Sequence, residues 1–307
     1  MKFFFIILSL SGLFFSYYLY SKHSITKSLI TNSEIVNTNL GTIEYSFEGT
    51  SGPVLLVIHG TPGGYDQTTS VTGEIRVLTP SRPGFLRTPI SVGKTPKEQA
   101  MAYKELIDVL GVDKVVIMGI SGGGPSSMEF AALFPERTMG LIAYEAVSYS
   151  EDYSSNTQDA DILEASDFKL WVQLSLLSFF GNERLASIML PNPNNRDKLL
   201  SKPKNIESLK KVIWSIWPIN LRREGAENDY EQFKNLSIPL EDIEAPTLVI
   251  HGSEDINVDI NHGKEVKNRV SQAEMHIVAE GDHMMSATHS KEIEDLILKF
   301  VLEVSKI

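Results

Sequence analysis

Ser121 lies in Gly119-Ile120-Ser121-Gly122-Gly123, between the apolar run Lys114-Val115-Val116-Ile117-Met118 and a segment that reads as a helix from near Pro125. A Gly-x-Ser-x-Gly spacing also occurs by accident, and its meaning comes from the strand before it and the helix after it. Small residues two before and two after the serine let the chain turn so tightly that the hydroxyl stands exposed at the end of a sheet. The bland alternative is a glycine-rich turn with an ordinary serine. A hydroxyl is too weakly acidic to attack a carbonyl unaided. Acyl chemistry at Ser121 therefore needs an imidazole base, a group that orients it, and N–H donors for the oxyanion.

The chain offers seven histidines. His283, in Glu280-Gly281-Asp282-His283, follows a predicted strand ending near Val278, in a loop where strand carboxyl ends gather, and is the predicted base. His251 and His276 fall within or at the end of predicted strands, His262 and His289 in helix-like contexts, and His23 beside the apolar N-terminal run. Asp255, in His251-Gly252-Ser253-Glu254-Asp255, lies just beyond another predicted strand and is the expected orienting acid. Its neighbour Glu254 competes, and Glu145, at the end of an earlier strand, could serve instead, because such triads are defined by geometry. Asp282 reads as a loop residue. His59-Gly60-Thr61-Pro62-Gly63-Gly64 directly follows a buried strand, so the Thr61 and Gly122 N–H groups are the candidate oxyanion donors. A tight turn with no further role is the alternative there, and His59 reads as stabilising that turn.

These groups need a frame. The 307 residues, 42% hydrophobic and 22% charged, suffice for one large domain with an inserted element. A net charge of -11 repels phosphate backbones and excludes nucleic acid as an expected partner. The absence of cysteine excludes disulfides, thiol nucleophiles and zinc-thiolate sites. After a hairpin over 35–47, strands at 54–58, 75–78, 114–118, 141–147, 246–250 and 275–278 alternate with helices at 96–110, 125–134 and 291–304. The pattern predicts an α/β, doubly wound, mostly parallel sheet over 40–147 and 241–307, with ligands at the strand carboxyl ends.

Residues 148–240 break the alternation and read as an inserted helical cap, with helix-like runs at 168–180 and 209–217 joined by Pro- and Asn-rich connections such as 190–195. Trp171, Trp214 and Trp217 all fall in it, either as pocket wall or as the cap's own core. Residues 3–20 form an uncharged apolar run flanked by Lys2, Lys22 and Lys27, about 27 Å long as a helix at 1.5 Å per residue. With Tyr17, Tyr18 and Tyr20 at its end, residues 1–22 read as a membrane anchor and 23–39 as a polar tether. A cleaved signal peptide, with a secreted or periplasmic product, and a buried helix are the alternatives.

Taken together, His59-Gly60-Thr61-Pro62-Gly63-Gly64, Ser81-Arg82-Pro83-Gly84-Phe85, the Ser121 motif, the Asp255 loop and Gly281-Asp282-His283 make the chain resemble the α/β-hydrolase fold superfamily. Its capped branch, with proline iminopeptidases, carbon-carbon bond hydrolases and small esterases, is the part it resembles over about residues 40–305. The resemblance implies Ser121 as nucleophile, His283 as base, Asp255 as acid and Thr61 and Gly122 as oxyanion donors, with no metal or organic cofactor. A serine in place of aspartate argues against haloalkane dehalogenase and epoxide hydrolase chemistry. The expected activity is hydrolysis of an ester-like bond in a small or lipid-like acyl substrate. An iminopeptidase-like aminopeptidase, with Glu224, Glu227 or Asp229 holding the substrate amine, and a non-catalytic membrane-tethered binding protein are the alternatives.

Overall fold

A computed structural model describes residues 2–69, 71, 73–151 and 157–306, with the backbone alone for 2–10 and 157–160. Strands β1 (Glu34–Thr38), β2 (Gly41–Glu48), β3 (Val54–Ile58), β4 (Arg76–Pro80), β5 (Val115–Ile120), β6 (Thr138–Tyr144), β7 (Thr247–Gly252) and β8 (Ala273–Val278) form one sheet. Their order is β1-β2-β4-β3-β5-β6-β7-β8, with β2 antiparallel to both neighbours and every other pairing parallel. The mostly parallel sheet expected from the alternation is therefore present.

The central strands are apolar at consecutive positions because both sheet faces are covered. Leu56, Ile58, Val115 and Ile117 pack with Tyr103, Leu106 and Phe130 in one core cluster. Leu55, Val57, Val116 and Met118 belong to a second, with Ile293, Ile297 and Val301. These partners come from α2 (Pro96–Val109), α3 (Gly124–Leu133) and α12 (Ser290–Val304). Helix α2 starts at the capping box formed by Thr95 and Glu98. Strand β6 ends at Tyr144, three residues before the expected Val147, because Glu145 takes a φ of 47° and turns the chain out of the sheet.

Between β6 and β7 the described residues form the helical cap: α4 (Thr157–Glu164), α5 (Asp167–Phe179), α6 (Asn182–Met189), α7 (Pro193–Leu200), α8 (Pro203–Trp214) and α9 (Arg223–Phe233). The expected 190–195 connection is in part helix α7, entered through the Asn192 side chain, which accepts from the Asn194 N–H, with Pro193 in the first turn. Proline is tolerated there because that N–H has no helical partner to lose. Trp171 and Trp217 are buried in the cap's own core with Leu170, Leu185 and Leu209. Beyond β7 follow α10 (Ile260–Arg269) and the short α11 (Met285–Thr288).

The N-terminal segment departs from expectation. Helix α1 (Lys2–Thr31) runs through what was read as anchor and tether, and β1 occupies most of the remaining tether. Side chains of residues 3–10 lie outside the described set. Among the described residues no helix is long and apolar enough to cross a membrane, so the anchor and its transmembrane span are not supported. The aromatic residues expected at a lipid interface instead include Tyr18, buried in the cap core with ring centroids 5.0 Å from Phe168 and 5.5 Å from Trp171. Lys22 Nζ, 2.7 Å from Asp167 Oδ2, ties the same helix to α5.

Candidate active site

Ser121 follows β5 at the centre of the sheet, with a φ of 49°. Such a conformation is uncommon for a residue with a side chain and is held only where the surroundings dictate it. Glycine is needed on either side for space. A Cβ on Gly119 would strike the Ser127 side chain, and one on Gly123 would strike the backbone carbonyls of Ile58 and His59. The turn is pinned by the Val147 N–H, which donates to the Ser121 carbonyl at 3.0 Å.

The loops after β7 and β8 bring Asp255 and His283 together. His283 Nδ1–H donates to Asp255 Oδ2 at 2.8 Å. Asp255 Oδ1 accepts from the Asn257 and Val258 N–H groups at 2.9 and 3.0 Å, which fixes the carboxylate plane. Burial pushes Asp255 up, but its bond and charge interaction with His283 and the two backbone donors outweigh it and leave its pKa below the ordinary value. Burial likewise disfavours the His283 imidazolium. The carboxylates of Glu145, Asp255 and Asp282 overcome that and raise its pKa to about 9.

Of the competing residues, Glu145 stays beside His283, whereas several others are occupied elsewhere. Glu254 is exposed and accepts from the Asn192 amide of the cap. Asp282 accepts from the Met284 N–H and the Asn195 amide, the loop role expected of it. His59 is fully buried, with Nδ1–H donating to the Gly60 carbonyl and Nε2 accepting from the Arg82 N–H. Burial, aided by the Arg82 charge, drives its pKa well below 6.5, so it stays neutral and braces the turn. His251 donates from Nε2 to the Val258 carbonyl, and His262 stacks on Tyr149 while its Nδ1 accepts from the Ser148 N–H.

Thr61 and Gly122 meet across the site, close enough that a Cβ on Gly122 would strike the Thr61 side chain. The Thr61 loop is held by a buried pair that sequence reasoning missed. Arg82 Nη2 lies 2.5 Å from Asp229 Oδ2 on α9, and the two residues are 1% and 3% exposed. Thr61 Oγ1 donates to the same carboxylate and accepts from Arg82 Nη2 at 3.0 Å. No local signal marks this pair, whose members are 147 positions apart. A second cap-to-core bond joins Arg222, fully buried, to Asp66 at 2.8 and 3.0 Å.

Ser121, His283, Thr61, Gly122 and Glu145 all line one cavity of about 550 Å³. The cap contributes Leu170, Leu174, Leu177, Met189, Val212, Ile213 and Ile216 to its wall. Among the described lining residues there is no tryptophan; the cap adds the aromatic rings of Tyr230 and Phe233 from α9 to its aliphatic wall, while Trp171 and Trp217 serve its core.

Known proteins resemble this chain in sequence and fold. A sequence profile of the alpha/beta hydrolase fold family matches residues 53–290. The chain is 28% identical over 270 residues to the uncharacterized hydrolase YcgS of Bacillus subtilis (strain 168), covering 82% of this chain and 92% of that protein. It is 27% identical over 238 residues to 2-hydroxy-6-oxo-6-phenylhexa-2,4-dienoate hydrolase of Burkholderia cepacia, covering 75% of this chain and 78% of that one. The structure superimposes on an alpha/beta hydrolase fold protein from Nakamurella multipartita with a TM-score of 0.78 and 27% identity, over 88% of this chain and 98% of that one.

Proposed function

Because this chain belongs to the α/β-hydrolase fold family, we propose that it is a serine hydrolase that cleaves an ester-like bond of an uncharged, largely apolar substrate through an acyl-enzyme. The observation that carries this reading is one cavity lined by Ser121 in its strained turn, by His283 already bonded to Asp255, and by Thr61 and Gly122. In the mechanism, His283 takes the proton of Ser121 Oγ as that oxygen attacks the carbonyl carbon. The Thr61 and Gly122 N–H groups stabilise the oxyanion, and the imidazolium returns its proton to the leaving alcohol. Water, activated by the same imidazole, then releases the acid. Asp255 holds the ring in the tautomer with Nδ1 protonated and stabilises its charged form.

The charge inventory argues for the substrate class. Carboxyls of Asp66, Glu145 and Glu294 line the cavity, whereas apart from His283 its described lining offers a single cation, the exposed Lys211. An acidic dienoate, as named for the Burkholderia cepacia relative, would have little to pair its carboxylate with. A neutral ester, lactone or related acyl compound fits the aliphatic wall without an unpaired charge. Iminopeptidase activity is disfavoured for a different reason. Glu224 and Glu227 are exposed, Asp229 is taken up by Arg82 and Thr61, and none of the three lines the cavity. A binding protein without catalysis is disfavoured by the assembled His283–Asp255 pair beside Ser121.

Purified protein should hydrolyse short p-nitrophenyl esters and react with a fluorophosphonate probe, and Ser121→Ala should abolish both. Retained turnover in Ser121→Ala, or an intact protein inert to both reagents at every pH, overturns the assignment. A panel of esters, lactones, acidic dienoates and aminoacyl arylamides then ranks the substrate classes.

A further inference from the structure

Glu145 is a buried carboxyl that the acyl-transfer steps above do not use. It stands immediately after β6 with a φ of 47°, and its N–H donates to the Ile250 carbonyl at 2.9 Å. Its side chain is 2% exposed and lines the cavity. Among the described residues its Oε1 has no hydrogen-bond partner. A buried carboxyl oxygen without a donor is costly, and ionising it there calls for a cation to face. That cation is at hand. Oxygens of Glu145 and Asp255 and a ring nitrogen of His283 all lie within 4.8 Å of one another.

We propose that Glu145 is a second positioning carboxylate for His283, acting together with Asp255 rather than in its place, and that it stabilises the imidazolium formed when Ser121 gives up its proton. This rests on the serine-hydrolase reading of the same site. The other ionisable groups around the ring have different duties. Asp255, from the β7–α10 loop, is bound to Nδ1 and to two backbone donors, and Asp282, from the β8–α11 loop, to the Met284 N–H and the Asn195 amide. His251 on β7 is bonded to the Val258 carbonyl, and Tyr144 on β6 is buried and held well above its ordinary pKa by burial, with carboxylates adding to the effect. Burial pushes Glu145 well above the usual carboxylate range while the charge on His283 pulls it back, so the two titrate as a pair. The reactive form is the one in which the pair has lost its last proton, leaving a neutral imidazole beside an ionised Glu145. Ser121 then supplies the single proton that His283 takes and later passes to the leaving alcohol. Glu145 itself forms and breaks no bond.

The test is the rate of fluorophosphonate labelling against pH for the intact chain and for Glu145→Gln. Labelling of the intact chain should rise with pH through a midpoint of about 9. In Glu145→Gln the midpoint should fall by about 1–3 pH units, as expected when an opposite charge a few ångströms away is removed. The alkaline plateau should also drop, so that the variant is slower at high pH and faster near neutrality. A loss of labelling that is uniform in pH, with an unchanged midpoint, means Glu145 only shapes the turn and overturns the proposal. Should Glu145→Gln fail to fold, proton NMR titration of His283 in the Ser121→Ala chain decides it, since a midpoint at or below 6.5 also overturns the proposal. An intact chain that never labels counts against the serine-hydrolase reading, while the NMR midpoint still reads the Glu145–His283 coupling.

Discussion

Two buried charge clusters flank Ser121, and they are built on opposite plans. In one, Arg82 and Asp229 meet at 2.5 Å with Thr61 Oγ1 bridging them, one cation against one anion in a shell almost closed to water. Burial alone would lower the Arg82 pKa, but Asp229 holds it above its ordinary value, so the guanidinium never gives up its charge. In the other, the His283 imidazole faces Asp255, Glu145 and Asp282, with the His251 ring 3.7 Å from Asp255, so carboxyls outnumber imidazoles. The contrast separates a clamp from a candidate reactive centre. A matched pair fixes geometry, although burial still pushes the Asp229 carboxyl above its ordinary pKa against the pull of Arg82. A mismatched set leaves a proton whose position shifts easily, which a general base requires.

Breaking the reactive cluster should have the largest effect. Asp255→Asn keeps the shape but disturbs the His283 tautomer, and p-nitrophenyl ester turnover should fall on the order of 10⁴-fold. The melting temperature should change far less. A small loss of turnover would mean that Glu145 can orient the ring unaided.

Next in size is the clamp. Asp229→Ala leaves the Arg82 guanidinium buried and unpaired, and urea unfolding should show a loss of about 3–5 kcal/mol. Arg82→Met combined with Asp229→Leu should recover most of it, because replacing both charges removes the desolvation penalty. If the single variant instead moved the pH midpoint of labelling, the two clusters would be coupled and the distinction between them would fail.

The smallest effect should come from a site that touches neither cluster. Tyr18 is 6% exposed in the cap core, and Tyr18→Ala should cost about 2 kcal/mol from lost burial. Its pH–rate profile should match that of the intact chain. No change in stability would mean that α1 does not dock on the cap.

The candidate set was legible in the sequence because each member sits just past a buried apolar strand. Strand carboxyl ends share one edge of a parallel sheet, so residues there converge whatever their separation in the chain. Ser121, Asp255 and His283 follow that rule, and Glu145 does too, although it reads from the sequence only as a substitute for Asp255. Helix α7 was not legible, since Pro193 and the surrounding asparagines resemble a loop until Asn192 is seen capping a helix. The role of α1 was hidden for a related reason: apolar and aromatic residues suit a bilayer and a protein core equally well. The outcome for Tyr18 depended on Phe168 and Trp171 lying opposite it.

By itself, then, the amino-acid order determined the fold family, the candidate nucleophile and the candidate imidazole–carboxylate pair, because those follow from strand periodicity and from residues bound to strand ends. Only the tertiary structure decided what the acids do. Asp229 and Glu227 stand two positions apart on α9, yet one is buried against Arg82 and the other is exposed to water. Burial and the nearest opposite charge fix the work of a carboxyl, and both depend on contacts between segments far apart in the chain.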